Sequence, residues 1–293
     1  MKILPGRGWA RLLRVLQEEQ GTVLLLGATD SGKTTLARYL VEHLAGKCLP
    51  TALIDSDIGQ SSLGLPGTIS MKVFLDDNDL ADFSFERMSF LGFVNPAKVM
   101  PLMVAITKRF ATIVRRDAAT VIVDTTGLIS GELGKTLKMA KIKALRPAHI
   151  VAIQRDDELD HILSGIEAGR VHRLNASPEI KRRSISVRAT YRKRKLEKYF
   201  RERKLFTGIL DGSAVSFFYR GRVFHHEESE LPQGAIIGLN RNDSTSALGI
   251  IEAVAGTVVN FRSPLRSIKM INRVVCGDMT MSQDPIGNSP GRA

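Results

Sequence analysis

The stretch Gly27-Ala28-Thr29-Asp30-Ser31-Gly32-Lys33-Thr34-Thr35 leaves this chain few folds to choose from. It reads G-x-x-x-x-G-K-T and follows directly on the apolar run Thr22-Val23-Leu24-Leu25-Leu26. Glycines at both ends let the backbone curl so that successive N–H groups point inward, a cradle for phosphate oxygens. Beyond it, Leu36, Leu40, Val41 and Leu44 recur at helical spacing, and Gly46 is placed to end the helix. A loop held between a buried strand and a helix N-terminus is a nucleoside triphosphate site. Its contacts are expected from Gly27, Thr29, Asp30, Ser31, Gly32 and Thr35 along the loop. The Lys33 ammonium would reach the β/γ oxygens and the Thr34 hydroxyl a magnesium ion.

Downstream, helical patterns alternate with short apolar runs. Thr51–Ile54, Ser70–Leu75, Phe90–Phe93, Thr120–Val123 and His149–Ile153 read as strands, Met100–Arg115 and Gly134–Leu145 as helices. This alternation predicts an α/β fold, a parallel P-loop NTPase sheet sandwiched between helices. Beyond Lys204 the texture changes to β-prone runs at Phe206–Tyr219, Arg222–His225, Ala235–Leu239, Leu248–Val259 and Ser267–Val275, punctuated by Gly and Asn. The expected organisation is a P-loop domain over 1–204 with a basic lid at about 170–204, a small β-rich C-terminal domain over 205–282, and a disordered tail over 283–293.

Charge locates the partner class. The formal net charge is +12, and between Arg170 and Lys204 fourteen Lys/Arg stand against three Glu. Nearly all the excess therefore sits in one segment, which points to a polyanion held at one place. Cys48 and Cys276, the two cysteines, form no disulfide framework and no metal-ligand spacing, so a reducing, cytoplasmic location is expected. The first twenty residues carry a short amphipathic helix (Trp9, Leu12, Leu13, Leu16) rather than a signal peptide, and no run is long enough to span a membrane.

Ligands of parallel sheets bind at the carboxyl ends of strands, and Asp55, Asp57 and Asp124 all fall there. Asp124 has the Walker-B position and would hold magnesium. Asp55 or Asp57 could take the proton from an attacking hydroxyl. For any one aspartate, capping a following turn is the plain alternative. Within the basic run Lys181–Lys195, some arginines could close over a triphosphate as a lid, while others, such as Arg192, would face a nucleic-acid backbone. A solvated helix face is the plain alternative there. His225 and His226 are adjacent, so on a strand they would face opposite sides and make a poor metal pair. Tyr191 and Tyr199 could stack on bases or anchor the lid helix.

Taken together, these motifs resemble the polynucleotide 5′-hydroxyl kinase family, which includes the RNA kinase of the pre-mRNA 3′-cleavage complex and the pre-ribosomal RNA processing kinases. The carriers are Gly27–Thr35, then Asp55-Ser56-Asp57-Ile58-Gly59-Gln60 with Pro66-Gly67, then Gly92 with Pro96, then Asp124-Thr125-Thr126-Gly127-Leu128-Ile129-Ser130-Gly131, then the arginine-rich lid ending in Tyr199-Phe200. The resemblance implies γ-phosphate transfer from ATP, with Mg2+, to the 5′-hydroxyl end of RNA or DNA. It makes Asp55 the general base, with Asp57, also a candidate magnesium ligand, and Gln60 beside it. It makes Arg183 and Arg188 the lid arginines on the transferred phosphate, and Thr125 and Gly127 the clasp for the 5′ nucleotide. Leu128 stands where the eukaryotic members place a base-stacking tryptophan, and no β-rich domain is expected ahead of Gly27. Two other readings keep the same loop: a P-loop ATPase switch or assembly factor, and an RNA-binding scaffold that holds ATP without turning it over.

Overall fold

The computed structural model describes residues 3–177, 183–224 and 231–281. Its centre is a run of parallel strands: β1 (Thr22–Gly27), β2 (Thr51–Ser56), β5 (Thr120–Thr125), β6 (His149–Gln154) and β7 (Val171–Asn175), hydrogen-bonded in the order β2-β5-β1-β6-β7. Every residue of β1, β2, β5 and β6 is buried, as expected for strands covered on both faces. Alternate residues of β1 feed opposite sides. Leu24 and Leu26 pack towards α3 (Met100–Val114) and the four-residue α5 (Asp160–Leu163). Val23 and Leu25 pack towards α1 (Trp9–Glu18) and α2 (Lys33–Ala45). α4 (Gly131–Leu145) flanks α3 on the first side.

The sheet is mixed rather than parallel throughout. β3 (Thr68–Phe74) runs antiparallel to β2, and β4 (Arg87–Phe90) antiparallel to β3. The connection over 57–67 is too short to contain a crossover helix, so the chain must turn back. β4 ends at Phe90, so Leu91–Phe93 lies outside the strand expected there. Residues 171–175, assigned to the lid from charge alone, form β7: Leu174 is buried and pairs with Ile153. The lid helix is α6 (Ile185–Arg201), capped by the Ser184 hydroxyl, which accepts from Val187 N–H at 3.2 Å. Lys181, Arg182, His225, His226 and the tail expected at 283–293 lie outside the described residues.

Late strands extend the same sheet. These are β8 (Phe206–Asp211), β9 (Ser216–Tyr219), β10 (Arg222–Phe224), β11 (Ile236–Arg241), β12 (Ser244–Ala255), β13 (Val258–Ser263) and β14 (Arg273–Cys276). Three β-prone runs are longer than the strands they hold: Phe206–Tyr219 crosses the turn over 212–215 between β8 and β9. Leu248–Val259 crosses the turn at Gly256 between β12 and β13, and 267–272 is irregular. β12 joins β4 through the single pair Thr245–Met88, reinforced by Phe90 N–H donating to Thr245 Oγ1 at 2.8 Å. Beside that pair, Leu65, Met88 and Phe90 pack with Leu196, Tyr199 and Phe200 of α6 and with Ile236, Leu248 and Ile250. Tyr199 anchors the lid helix: its hydroxyl oxygen accepts from Leu248 N–H at 3.1 Å. No described helix is long and apolar enough to cross a membrane.

A second seam runs along residues 91–98. Gly92, at φ +81°, lies backbone to backbone against Gly277, where a Cβ on either residue would collide with the other. Asp278 N–H donates to Gly92 O at 3.0 Å, and Lys98 pairs with Asp278. Gly277→Ala is therefore expected to lower stability by about 1–3 kcal/mol through overpacking. Urea unfolding of the variant against the parent measures this.

Candidate active site

Two cavities open above the carboxyl ends of β1, β2 and β5, and they share a wall. The first, about 370 Å3, is lined by Thr29 through Thr35, Asp57, Gln60, Ser62, Arg183 and Tyr191. The second, about 550 Å3, is lined by Thr29, Asp57, Gly59, Gln60, Val94–Pro96, Thr126–Leu128, Ile185, Arg188 and Arg192. Thr29, Asp57 and Gln60 belong to both. The phosphate loop reaches its shape through left-handed backbone at Asp30 (φ 56°) and Gly32 (φ 97°), the latter capping α2. Gly27 is contributed by the end of β1 and does not line either cavity. Gly127 sits so close to the loop that a Cβ would collide with the Thr29 backbone, so glycine lets the two walls meet.

Lys33 is buried and its ammonium donates to Gly27 O at 3.0 Å and Ala28 O at 2.7 Å. Burial lowers its pKa, against the pull of Asp124, Asp57 and Asp30. Thr34 Oγ1 donates to Asp124 Oδ2 at 2.6 Å, while Asp124 Oδ1 is buried with no hydrogen-bond partner. Burial, then the nearby Asp55 charge, pushes the Asp124 carboxyl up to about 7. A hydroxyl, an orphaned carboxylate oxygen and Asp57 in the adjoining cavity form an oxygen donor set that suits magnesium. That ion is usually held by one or two carboxylates plus substrate phosphates. Among the described residues no cluster of three or more His, Cys, Asp or Glu could hold a metal by itself.

Asp55 does not reach either cavity. It is fully buried, and its Oδ2 accepts from Ser61 Oγ (2.9 Å), Ser62 N–H (2.6 Å) and Leu63 N–H (2.9 Å). Its Oδ1 accepts from Asp57 N–H at 3.1 Å. The carboxylate is the knot that ties down the loop over 57–64, whereas Asp57 lines both cavities. Burial raises the Asp55 pKa, opposed by the Leu63 N–H. Asp57 Oδ1 accepts from Gly59 and Gln60 N–H, both at 3.0 Å. Thr125 is likewise structural: its buried hydroxyl donates to Leu25 O at 2.7 Å. Thr126 and Gly127 line the second cavity in its place, with Leu128 beside them.

The basic segment is hydrogen-bonded to the loops beneath it. Arg183 donates from its backbone N–H and its Nε to the two Asp30 carboxylate oxygens, at 2.9 and 3.0 Å. Lys195 donates to Ser61, Ser62 and Gly64 carbonyls at 2.8, 3.0 and 2.7 Å, and Tyr191 OH to Ser61 O at 3.2 Å. Arg188 and Arg192 are half-buried against the second cavity and form no ion pair with a described residue. Burial, then Arg188, pulls the Arg192 pKa down. Two such cations call for an anion.

Two functional candidates escaped the sequence reading. Lys138 and Lys141 of α4 are fully buried beneath the strand ends. Lys138 donates to Thr125 Oγ1 at 2.9 Å and to Thr126 O; Lys141 donates to Ser56 Oγ at 2.6 Å, which in turn donates to Asp124 O at 2.7 Å. Burial lowers both, Lys141 to about 8. Their shared face with Gly134, Leu137 and Leu145 was the available signal.

The matched family is the one described as mRNA cleavage and polyadenylation factor CLP1 P-loop, over residues 27–202. The chain belongs to the CLP1 P-loop family. A polyribonucleotide 5′-hydroxyl-kinase of Pyrococcus horikoshii is 34% identical over 218 residues, covering 73% of this chain and 60% of that protein. One of Methanocaldococcus jannaschii is 36% identical over 186 residues, covering 63% of this chain and 51% of that protein. The chain thus spans between about half and 60% of the length of these relatives. A solved structure of a Clp1p–Pcf11p complex matches with a TM-score of 0.73 at 15% identity, covering 94% of this chain and 80% of that one. The CLP1 fold therefore extends through the late strands as well as the P-loop core.

A carboxyl with a raised folded-state pKa binds extra protons in the folded protein, so its contribution is full below the unfolded value and is lost as pH rises through the folded one. For Asp124 the window runs from about 3.9 unfolded to about 7 folded. Stability of the ligand-free protein is expected to fall across that window, and Asp124→Asn is expected to flatten the slope in urea unfolding at stepped pH. Asp55→Asn would turn an amide NH2 towards N–H donors and is expected to cost about 1–3 kcal/mol, read by thermal unfolding.

Proposed function

We propose that this chain is an ATP-dependent polynucleotide 5′-hydroxyl kinase acting on RNA, as the names of its archaeal relatives suggest for them. The observation that carries the reading is the pair of cavities meeting at Asp57. One has the loop, lysine and helix N-terminus that hold a triphosphate. The other has two half-buried arginines without described partners and room for a nucleotide. In that arrangement Lys33 and the loop N–H groups bind the phosphates of ATP, and Arg183 covers them.

The acceptor's 5′-oxygen lies across the shared wall, with Gln60, Thr126 and Gly127 around it and Arg188 and Arg192 on the 3′-phosphate of the same nucleotide. Asp57 takes the hydroxyl proton as the new P–O bond forms and the bond to the ADP leaving oxygen breaks. Thr34 and Asp124, with Asp57 near, would hold magnesium, which supplies charge neutralisation on the β/γ oxygens. Lys138 and Lys141 do not touch substrate; they fix the strand ends that carry Thr126, Ser56 and Asp124. The kinase unit would comprise the core and α6, with residues from 205 a β-rich unit docked on it, in a reducing cytoplasm consistent with the free thiols of Cys48 and Cys276.

With γ-labelled ATP and a 5′-hydroxyl RNA, label is expected on the RNA. Lys33→Ala and Asp57→Asn are each expected to lower kcat by at least about a hundredfold while remaining folded. Tight ATP binding with no transfer would leave the scaffold reading instead. ATP hydrolysis raised by a protein and indifferent to RNA would leave the switch reading.

A further inference from the structure

Residues 93–98 have two sides. One side, Val94, Asn95 and Pro96, is a wall of the second cavity. The other carries an exposed cluster donated by the late strands. Tyr219, at the end of β9, is 36% exposed, and its ring lies edge-on to Phe93 with centroids 5.4 Å apart. The Arg220 guanidinium lies 5.4 Å from the Tyr219 centroid and 5.7 Å from that of Phe93. Lys98 stands 5.6 Å from the same Phe93 ring. Arg222, exposed, is the cross-strand partner of Tyr219 on β10. Among the described residues, Asp278 is the acid bonded into the cluster: it accepts from Tyr219 OH at 2.8 Å and pairs with Lys98. Among the described residues, three cations against one carboxylate leave the patch positive, and the tyrosine hydroxyl bond holds the ring in place.

An exposed, fixed aromatic ring among guanidinium and ammonium groups is what single-stranded nucleic acid binds, bases on the ring and phosphates on the cations. Continuity decides what reaches it. Lys98 is three residues from Asn95, so at most about 11 Å of chain separates cavity wall from cluster. A strand whose first nucleotide occupies the cavity, with Arg188 and Arg192 on its 3′-phosphate, is led out along this edge. We infer that Tyr219, Arg220, Arg222 and Lys98 form a binding surface for the acceptor nucleotides that follow the one being phosphorylated. This gives the late strands a part in substrate binding, and it rests on the kinase reading above.

Steady-state phosphorylation of two acceptors tests it: adenosine 3′-monophosphate, which fills only the cavity, and an eight-nucleotide 5′-hydroxyl single-stranded RNA beginning with adenosine. The parent protein is expected to show a lower KM for the longer acceptor. Tyr219→Ala is expected to raise that KM about tenfold, the size of one lost base stack, leaving kcat and the mononucleotide KM unchanged. Tyr219→Phe keeps the ring and is expected to retain most of the affinity. Arg220→Asn, a residue that tolerates the left-handed turn at position 220 (φ 51°), and Arg222→Ala are each expected to raise the same KM and to reduce its dependence on salt. These two surface changes carry the test if Tyr219→Ala proves unstable in thermal unfolding. Equal KM values for the two acceptors in the parent, or no change in any variant while transfer continues, would overturn the surface and leave the kinase reading standing. Transfer to neither acceptor by the parent protein would overturn both.

Discussion

The site depends on charges held out of water beneath it. Asp55 and Asp124 end adjacent parallel strands, both buried, and Lys138 and Lys141 rise from α4 to meet those strand ends. Burying any one of these groups alone would cost several kcal/mol. Opposed and hydrogen-bonded, they fix where the backbone turns out of the sheet. Asp55 ties the loop over 57–64, Lys138 holds Thr125 and Thr126, and Lys141 reaches the Asp124 carbonyl through Ser56. The groups that would touch substrate, Asp57, Thr126 and Gly127, are each one or two residues from a group held this way.

That spacing explains why the motifs could be located in the sequence while the side chains that line the cavities could not. The phosphate loop was legible because its glycines set the backbone curl and spacing alone then places the Lys33 and Thr34 side chains at the start of the helix. The D-x-D and T-T-G stretches were legible as strand-end motifs. Which member faces the cavity was not, because a strand that runs into a turn breaks its own two-residue alternation. Asp55 and Thr125 belong to the ends of β2 and β5; Asp57 and Thr126 lie just past those strands. Distance along the chain cannot show that boundary, since it depends on bonds to Leu63 and Lys138.

The sheet taught a similar lesson. Alternating helices and apolar runs indicated parallel strands, true of β1, β2, β5, β6 and β7. β3 and β4 have the same apolar character but come after a connection too short to cross over, so they run the other way. Lys138 and Lys141 were hidden by residue type: a lysine on a helix is by default assigned to solvent, and only its register with Gly134 and Leu137 said otherwise. The basic segment's charge likewise misled at its start, where Arg173 is carried on an edge strand and pairs with Asp160.

The apolar grip on the lid helix is at one end, while Arg183, Tyr191 and Lys195 tie the rest of the segment by polar bonds. Leu196, Tyr199 and Phe200 sit in the seam between the core and the late strands, whereas Ile185 and Val187 at the other end are bare. From Tyr199 back to Ile185 is about 21 Å of helix at about 1.5 Å per residue. A tilt of about 10° at the gripped end sweeps the tip through about 4 Å, roughly the width of a phosphate group. A small rearrangement in the seam would be magnified at the far end wherever the polar bonds of Arg183, Tyr191 and Lys195 release.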